Sequence, residues 1–115
     1  RMALFPGPHD WEAARLTAGM ATDNDRDMHA GELETSVLLH THPSLVRSGY
    51  EQADHTTGDR DHMLTVGLAP YTSSGVVGRP SQATPAKGRA LLAALVDSFS
   101  GYLAALGEPH RSPTR

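Results

Sequence analysis

Apolar positions along this chain fall into a few legible groups separated by long polar stretches. The clearest group lies near the C-terminus, where Leu92, Val96, Phe99, Leu103 and Leu106 recur at steps of four, three, four and three. That spacing marks one face of an α-helix. Leu91, Leu95 and Tyr102 widen the stripe, and Gly107 supplies a stop. Thr84 followed by Pro85 predicts an N-cap and a first helical position. Lys87 and Arg89 sit in the opening turns, where the helix dipole disfavours cations by a small amount.

Leu33, Val37, Leu38 and Leu39 predict a second helix over residues 30–41, stopped by Pro43. A weaker pattern of Trp11, Ala14, Leu16 and Ala18 predicts a helix over residues 10–20, with Asp10 as N-cap and Gly19 near its end. Alternation at Leu64, Val66 and Leu68 predicts a strand over residues 63–68. Ala3-Leu4-Phe5 predicts a short strand closed by Pro6-Gly7-Pro8. Residues 22–27, 48–61 and 73–81 read as loops, and residues 108–115 as a disordered tail. Strand, helix, strand, helix is the order of an α/β layered sheet. With 115 residues, one domain is the upper bound. Arg1 precedes Met2 and an apolar strand is already in progress, so residues 1–107 are expected to be part of a longer, incomplete domain.

Charge changes the picture of partners. Residues 1–62 carry eleven acids against five arginines, and residues 63–115 carry two acids against five lysines or arginines, within an overall charge of −3. No basic cluster offers a nucleic-acid surface, and the acidic half opposes one. No uninterrupted apolar run reaches the length of a membrane span, so neither nucleic acid nor membrane is expected as a partner, and a cytoplasmic location is. There is no cysteine, which excludes disulfides, thiolate nucleophiles and cysteine-based zinc sites.

Candidate chemistry concentrates in Asp27-Met28-His29-Ala30-Gly31-Glu32-Leu33-Glu34-Thr35-Ser36, where a histidine, three carboxylates and two hydroxyls meet the start of a helix. His29 can donate a proton near neutral pH, as the departing nitrogen of a hydrolysed amide requires. Glu34 can position that histidine or a metal-bound water, or be an ordinary acid favoured by the helix dipole. Asp27 can orient His29 or contact substrate, and capping is its commoner use. Glu32 is expected to face solvent, and Thr35 and Ser36 to pack rather than to attack. In the Tyr71–Pro80 loop, Ser74 and Gly75 are candidate substrate contacts alongside Ser73 and Arg79, with a tight turn as the plain alternative. This loop is no phosphate-binding loop, because no Gly-Lys-Ser/Thr follows. His40 and His42 diverge on a helix, and His55 and His62 lie among Asp54, Asp59 and Asp61 in a polar loop, so neither group is expected to bind metal.

His29-Ala30-Gly31 followed by Glu34-Thr35-Ser36 resembles an element of the creatininase family of metal-dependent amidohydrolases. Ser74-Gly75-Val76-Val77-Gly78-Arg79-Pro80, followed by Lys87-Gly88, is similar to that family's Ser-Gly-Val-Ile-Gly-x-Pro loop and the opening of its last helix. The likeness covers residues 1–107 and implies part of a three-layer α/β/α fold. It implies catalytic roles for His29 and Glu34, substrate contacts at Asp27, Ser74 and Gly75, and assembly of identical subunits as a homo-oligomer. It also implies a divalent metal (zinc or manganese, with iron a third choice) that activates water against an amide carbonyl.

The family's first-half set, a Glu-x-His pair with a following aspartate and then an Asn-Gly-His element, is not found here: Asn-Gly-His is absent, and the Glu108-Pro109-His110 spacing lies in the C-terminal tail with no aspartate after it. The metal ligands are therefore expected from an N-terminal half, no metal ligand is assigned in this sequence, and the segment alone is expected to be inactive. The substrate expected is a small cyclic amide or related compound. One alternative is a precursor peptide, as in the mycofactocin-type peptide-trimming branch of the family. The other is a truncated, inactive homologue that serves as an oligomer-forming structural protein.

Overall fold

The computed structural model describes residues 1–109. Residues 110–115, most of the tail expected to be disordered, lie outside the described residues. Among the described residues four α-helices carry the fold: α1 (Pro8–Ala18), α2 (Glu32–Thr41), the single turn α3 (Met63–Val66) and α4 (Pro85–Gly107). Three 3-10 turns, Pro43–Leu45, Tyr50–Gln52 and Pro80–Gln82, punctuate the connections.

Local chemistry sets the helix ends. Pro8 opens α1, the Asp10 carboxylate accepts the Gly7 amide at 2.8 Å, and Gly19 closes the helix at φ 69°. Asp10 thus acts from the first turn, and Gly7 occupies the N-cap position expected for Asp10. The hydroxyl of Thr84 accepts the Lys87 amide at 3.1 Å with Pro85 at the first position of α4, as its sequence predicts. Pro43 ends α2 after His42.

Both expected strands are absent among the described residues. Residues 63–66 form a helical turn in which Val66 and Gly67 donate to His62 and Met63 at 2.9 and 2.8 Å, while Leu64 is 99% exposed. A strand there would have no neighbour to receive its backbone groups, whereas a turn pairs them internally. Phe5, from the expected N-terminal strand, instead sets its ring edge-on against Phe99 and Tyr102 of α4, with centroids 5.3 and 5.1 Å apart. The expected layered sheet is reduced to two isolated pairings around Val77-Gly78. Val77 exchanges backbone hydrogen bonds with His29 on one side, and Gly78 with His55 on the other.

α1 and α2 both pack on α4, and the faces they bury match only in part those the apolar periodicity predicts. On α4 the inward positions are Gly88, Leu91, Leu95, Ser98 and Tyr102, a line that takes in the Leu91, Leu95 and Tyr102 flank of the expected stripe and runs one residue before its central positions. Val96 is 72% exposed, and Phe99, Leu103 and Leu106 are exposed as well. On α2 the buried positions are Glu32, Thr35 and Ser36, while Leu38 turns outward. Close approach explains the choice. A Cβ on Gly88 would lie 2.0 Å from the Ser36 carbonyl oxygen, so the two helices meet backbone to backbone through small residues. The Ser36 hydroxyl accepts the Thr84 amide at 3.1 Å across the same contact.

Glu32 corrects the expectation of a solvent-facing acid. It is 0% exposed and gathers the amides of Ala21 and Thr22, the Thr22 hydroxyl and the Lys87 ammonium, the last at 2.6 Å. Lys87 so placed offsets its unfavourable position in the α4 dipole. Burial pushes the Glu32 carboxyl up, but the bonds from Ala21, Lys87 and Thr22 together hold it below its ordinary value. With Ala14, Val77, Ala83 and Leu91 as the buried apolar residues, polar links of this kind join the elements as much as the core does. By length and composition α4 is also apolar enough to cross a membrane; here α1 and α2 pack on it.

Candidate active site

The chain reaches the site through a tight backbone turn. Met28 and His29 both donate to the Val77 carbonyl, at 2.8 and 3.0 Å, and Val77 donates back to His29 at 2.9 Å. Ala30 then adopts φ 52°, a left-handed conformation uncommon for a residue with a side chain, and Gly31 starts α2. This reversal leaves His29 outside the helix and Glu34 on its first turn. Their side chains come together, with His29 Nδ1 3.7 Å from Glu34 Oε2, and both are more than half exposed. Glu34 Oε2 also accepts the Ala30 amide, tying the carboxylate to the turn that carries the histidine.

The pair borders an open groove of about 560 Å³, lined otherwise by Trp11, Leu33, Leu38, Leu92 and Leu95 among mostly apolar neighbours. An apolar wall beside a histidine and a carboxylate is the usual make-up of a small-molecule or peptide site. A contact of 3.7 Å is longer than a hydrogen bond, and acid–base contacts commonly tighten only around substrate.

The other sequence-selected residues lie elsewhere. Asp27 points inward: its Oδ1 accepts the Glu32 amide at 2.7 Å, and its Oδ2 accepts the Leu33 amide at 3.0 Å and Arg15 Nη2 at 3.1 Å. The Ser74 hydroxyl accepts the Val76 amide at 3.2 Å and meets the Thr72 hydroxyl, which in turn accepts the Gly75 amide. Both hydroxyls therefore shape their own turn, and neither Ser74 nor Gly75 lines the groove. Thr35 and Ser36 are buried in hydrogen bonds to Ala30 and Thr84. His55 pairs its backbone with Gly78 and its ring nitrogen with the Tyr71 carbonyl at 2.9 Å. Among the described residues no three His, Asp or Glu side chains gather closely enough to hold a metal ion.

Arg15 is the residue that sequence reading passed over. It lies on the inward stripe of α1 with Trp11, Ala14 and Ala18, and an arginine at such a position requires a buried acid.

These features sit in a recognisable class. The family model for creatinine amidohydrolase, Creatininase, matches residues 1–103, and the chain belongs to that family. The fold of the family is α/β. Mycofactocin precursor peptide peptidase from Mycobacterium tuberculosis (strain ATCC 25618 / H37Rv) is 42% identical over 78 residues, covering 62% of this chain and 30% of that protein. The protein of the same name from Mycobacterium ulcerans (strain Agy99) is 36% identical over 81 residues, covering 68% of this chain and 32% of its own length. That from Mycolicibacterium smegmatis is 36% identical over 76 residues, covering 64% and 31%. The chain thus spans about a third of the length of the curated relatives it matches. No solved structure matches significantly.

Proposed function

We infer that this chain forms one wall of an amide-hydrolysing site, in which His29 protonates the departing nitrogen and Glu34 orients the imidazole. The observation that carries the reading is the His29–Glu34 pair at the mouth of an apolar groove, within a chain of the creatininase family. A histidine acid contributes typically 10²–10⁴-fold to such a step, and a carboxylate behind it about 10–100-fold. The described residues do not fit the metal centre that the family resemblance implies, since no three-ligand group is present among them. The role of these residues is confined to binding and to the proton at the leaving nitrogen.

A peptide is the second substrate reading, favoured by the names of the relatives, which are precursor peptide peptidases. The open groove leaves room for an extended chain to lie past His29. The α/β/α layering belongs to the same proposal: α1, α2 and α4 would make one helical layer, and the single-residue pairings at Val77-Gly78 would face a sheet.

The test is hydrolysis by the full-length protein, assayed on a cyclic amide and on a peptide, for wild type, His29→Ala and Glu34→Gln. His29→Ala is expected to lose at least about 10²-fold in kcat. Unchanged rates would remove His29 from the mechanism.

A further inference from the structure

Asp27 and Arg15 form the most enclosed charged pair among the described residues, with side chains 2% and 8% exposed. Every polar atom of the pair is engaged. Beyond Asp27, Arg15 donates Nε to Asn24 Oδ1 at 2.6 Å, Nη1 to the Thr22 carbonyl at 3.2 Å and Nη2 to the Asp27 carbonyl at 3.3 Å. The Asp27 carboxylate, for its part, takes the first two amides of α2, a helix whose N-cap, Gly31, has no side chain to do so. Space around it is closed by two glycines. A Cβ on Gly31 would fall 1.7 Å from Asp27 Oδ1, and one on Gly78 would fall 2.4 Å from the same oxygen.

The consequence falls on the residues between. Residues 28–30 are strung from Asp27, fixed to α1 through Arg15, to Gly31, fixed through the Glu32 and Leu33 amides. Val77 holds the middle of this span through His29, and Ala30 stays in a left-handed conformation that a free chain would leave. His29 protrudes from this span, and Glu34 from the first turn of the helix that Asp27 caps. The same carboxylate therefore anchors both members of the His29–Glu34 pair. It also lines a cleft of about 260 Å³ that shares Trp11, Leu33 and Glu34 with the groove.

We propose that Asp27 and Arg15 are positioning residues, which set the distance and angle between His29 and Glu34 without touching substrate. The proposal rests on the reading of His29 and Glu34 as the reacting pair. Asp27→Asn keeps the shape of the side chain, but it removes the charge that Arg15 needs and turns an amide group toward a backbone amide. Displacement of a reacting group by about 1 Å costs on the order of 10²-fold in rate.

The experiment measures kcat, KM and the histidine ring NMR signals of the full-length protein, with folding checked by circular dichroism. The variants are Asp27→Asn, Arg15→Lys and His29→Ala. For Asp27→Asn we expect kcat to fall by about 10–100-fold, KM to stay within about twofold, and the His29 ring signals to move while those of His40 and His62 stay. Arg15→Lys, which keeps the charge but loses the fork, is expected to lose about 5–20-fold in kcat. A folded Asp27→Asn variant with wild-type kcat and unmoved His29 signals would overturn the proposal; if Asp27→Asn does not fold, the same result for Arg15→Lys does so. Unchanged activity in His29→Ala overturns the catalytic reading instead, and the His29 signals in Asp27→Asn then still show whether Asp27 fixes that ring.

Discussion

Replacing Glu32 by glutamine tests whether this fold is joined by its buried polar links. Four donors converge on the carboxylate: the Ala21 and Thr22 amides at 3.0 and 2.8 Å, the Thr22 hydroxyl at 2.7 Å and the Lys87 ammonium at 2.6 Å. Glutamine offers one acceptor oxygen and turns an NH₂ toward the remaining donors, and it leaves Lys87, only 21% exposed, without its counter-charge. Breaking a buried ion pair on one side costs about 3–5 kcal/mol. The lower end, about 3 kcal/mol, applies because the Gln82 carbonyl still accepts from Lys87 at 2.7 Å. With a urea m-value of about 2 kcal/mol/M, the unfolding midpoint of the full-length protein should fall by about 1.5 M. Glu32→Gln combined with Lys87→Met should regain roughly half of that, since the stranded ammonium is gone. A midpoint within about 0.3 M of wild type for Glu32→Gln alone would refute the reasoning.

Gly88→Ala should destabilise by about 2–3 kcal/mol, because its new methyl would meet the Ser36 carbonyl at 2.0 Å and force α2 and α4 apart; urea unfolding reads the loss, and a neutral result would mean the helices do not cross there. Acid should weaken the fold. Burial raises Glu32 and Asp54, but hydrogen bonds from Ala21, Lys87 and Thr22 in the first case, and from Ser81 and Arg79 in the second, hold both below their ordinary values of 4.5 and 3.8. Groups lowered in this way contribute fully above their unfolded pKa and lose the contribution as pH falls through the folded one. Unfolding free energy should therefore be flat with respect to these groups above about pH 5 and fall below about pH 4, with a shallower fall in Glu32→Gln; a rise on acidification would contradict this. Tyr102 donates to Asp10 at 2.5 Å and is the main cause of that carboxyl lying below its usual value, so Tyr102→Phe should move the Asp10 NMR titration upward.

The candidate site was half legible in the chain. His29 and Glu34 are five residues apart across a helix entry, so a single turn is enough to bring them together. Asp27 looked like a contact for substrate because its spacing does not say which way it points. Its inward turn depends on Arg15, twelve residues earlier on α1 and across a loop, and on the missing side chains of Gly31 and Gly78. Glu32 was hidden for the same reason. An acid beside Leu33 looks solvent-facing until Lys87 arrives from α4.

By itself the sequence determined where the long helices begin and end. Thr84-Pro85, Pro43, Gly19 and the acid at Asp10 act through hydrogen bonds and backbone angles within one turn, and they act alike in almost any surroundings. Tertiary structure alone decided which faces turn inward. The apolar stripe of α4 and the leucines of α2 satisfy helical periodicity, yet the contact formed through Gly88, Ser36 and the Glu32–Lys87 pair. Close backbone approach and a buried counter-charge are relations between distant segments, and periodicity along one segment carries no record of them.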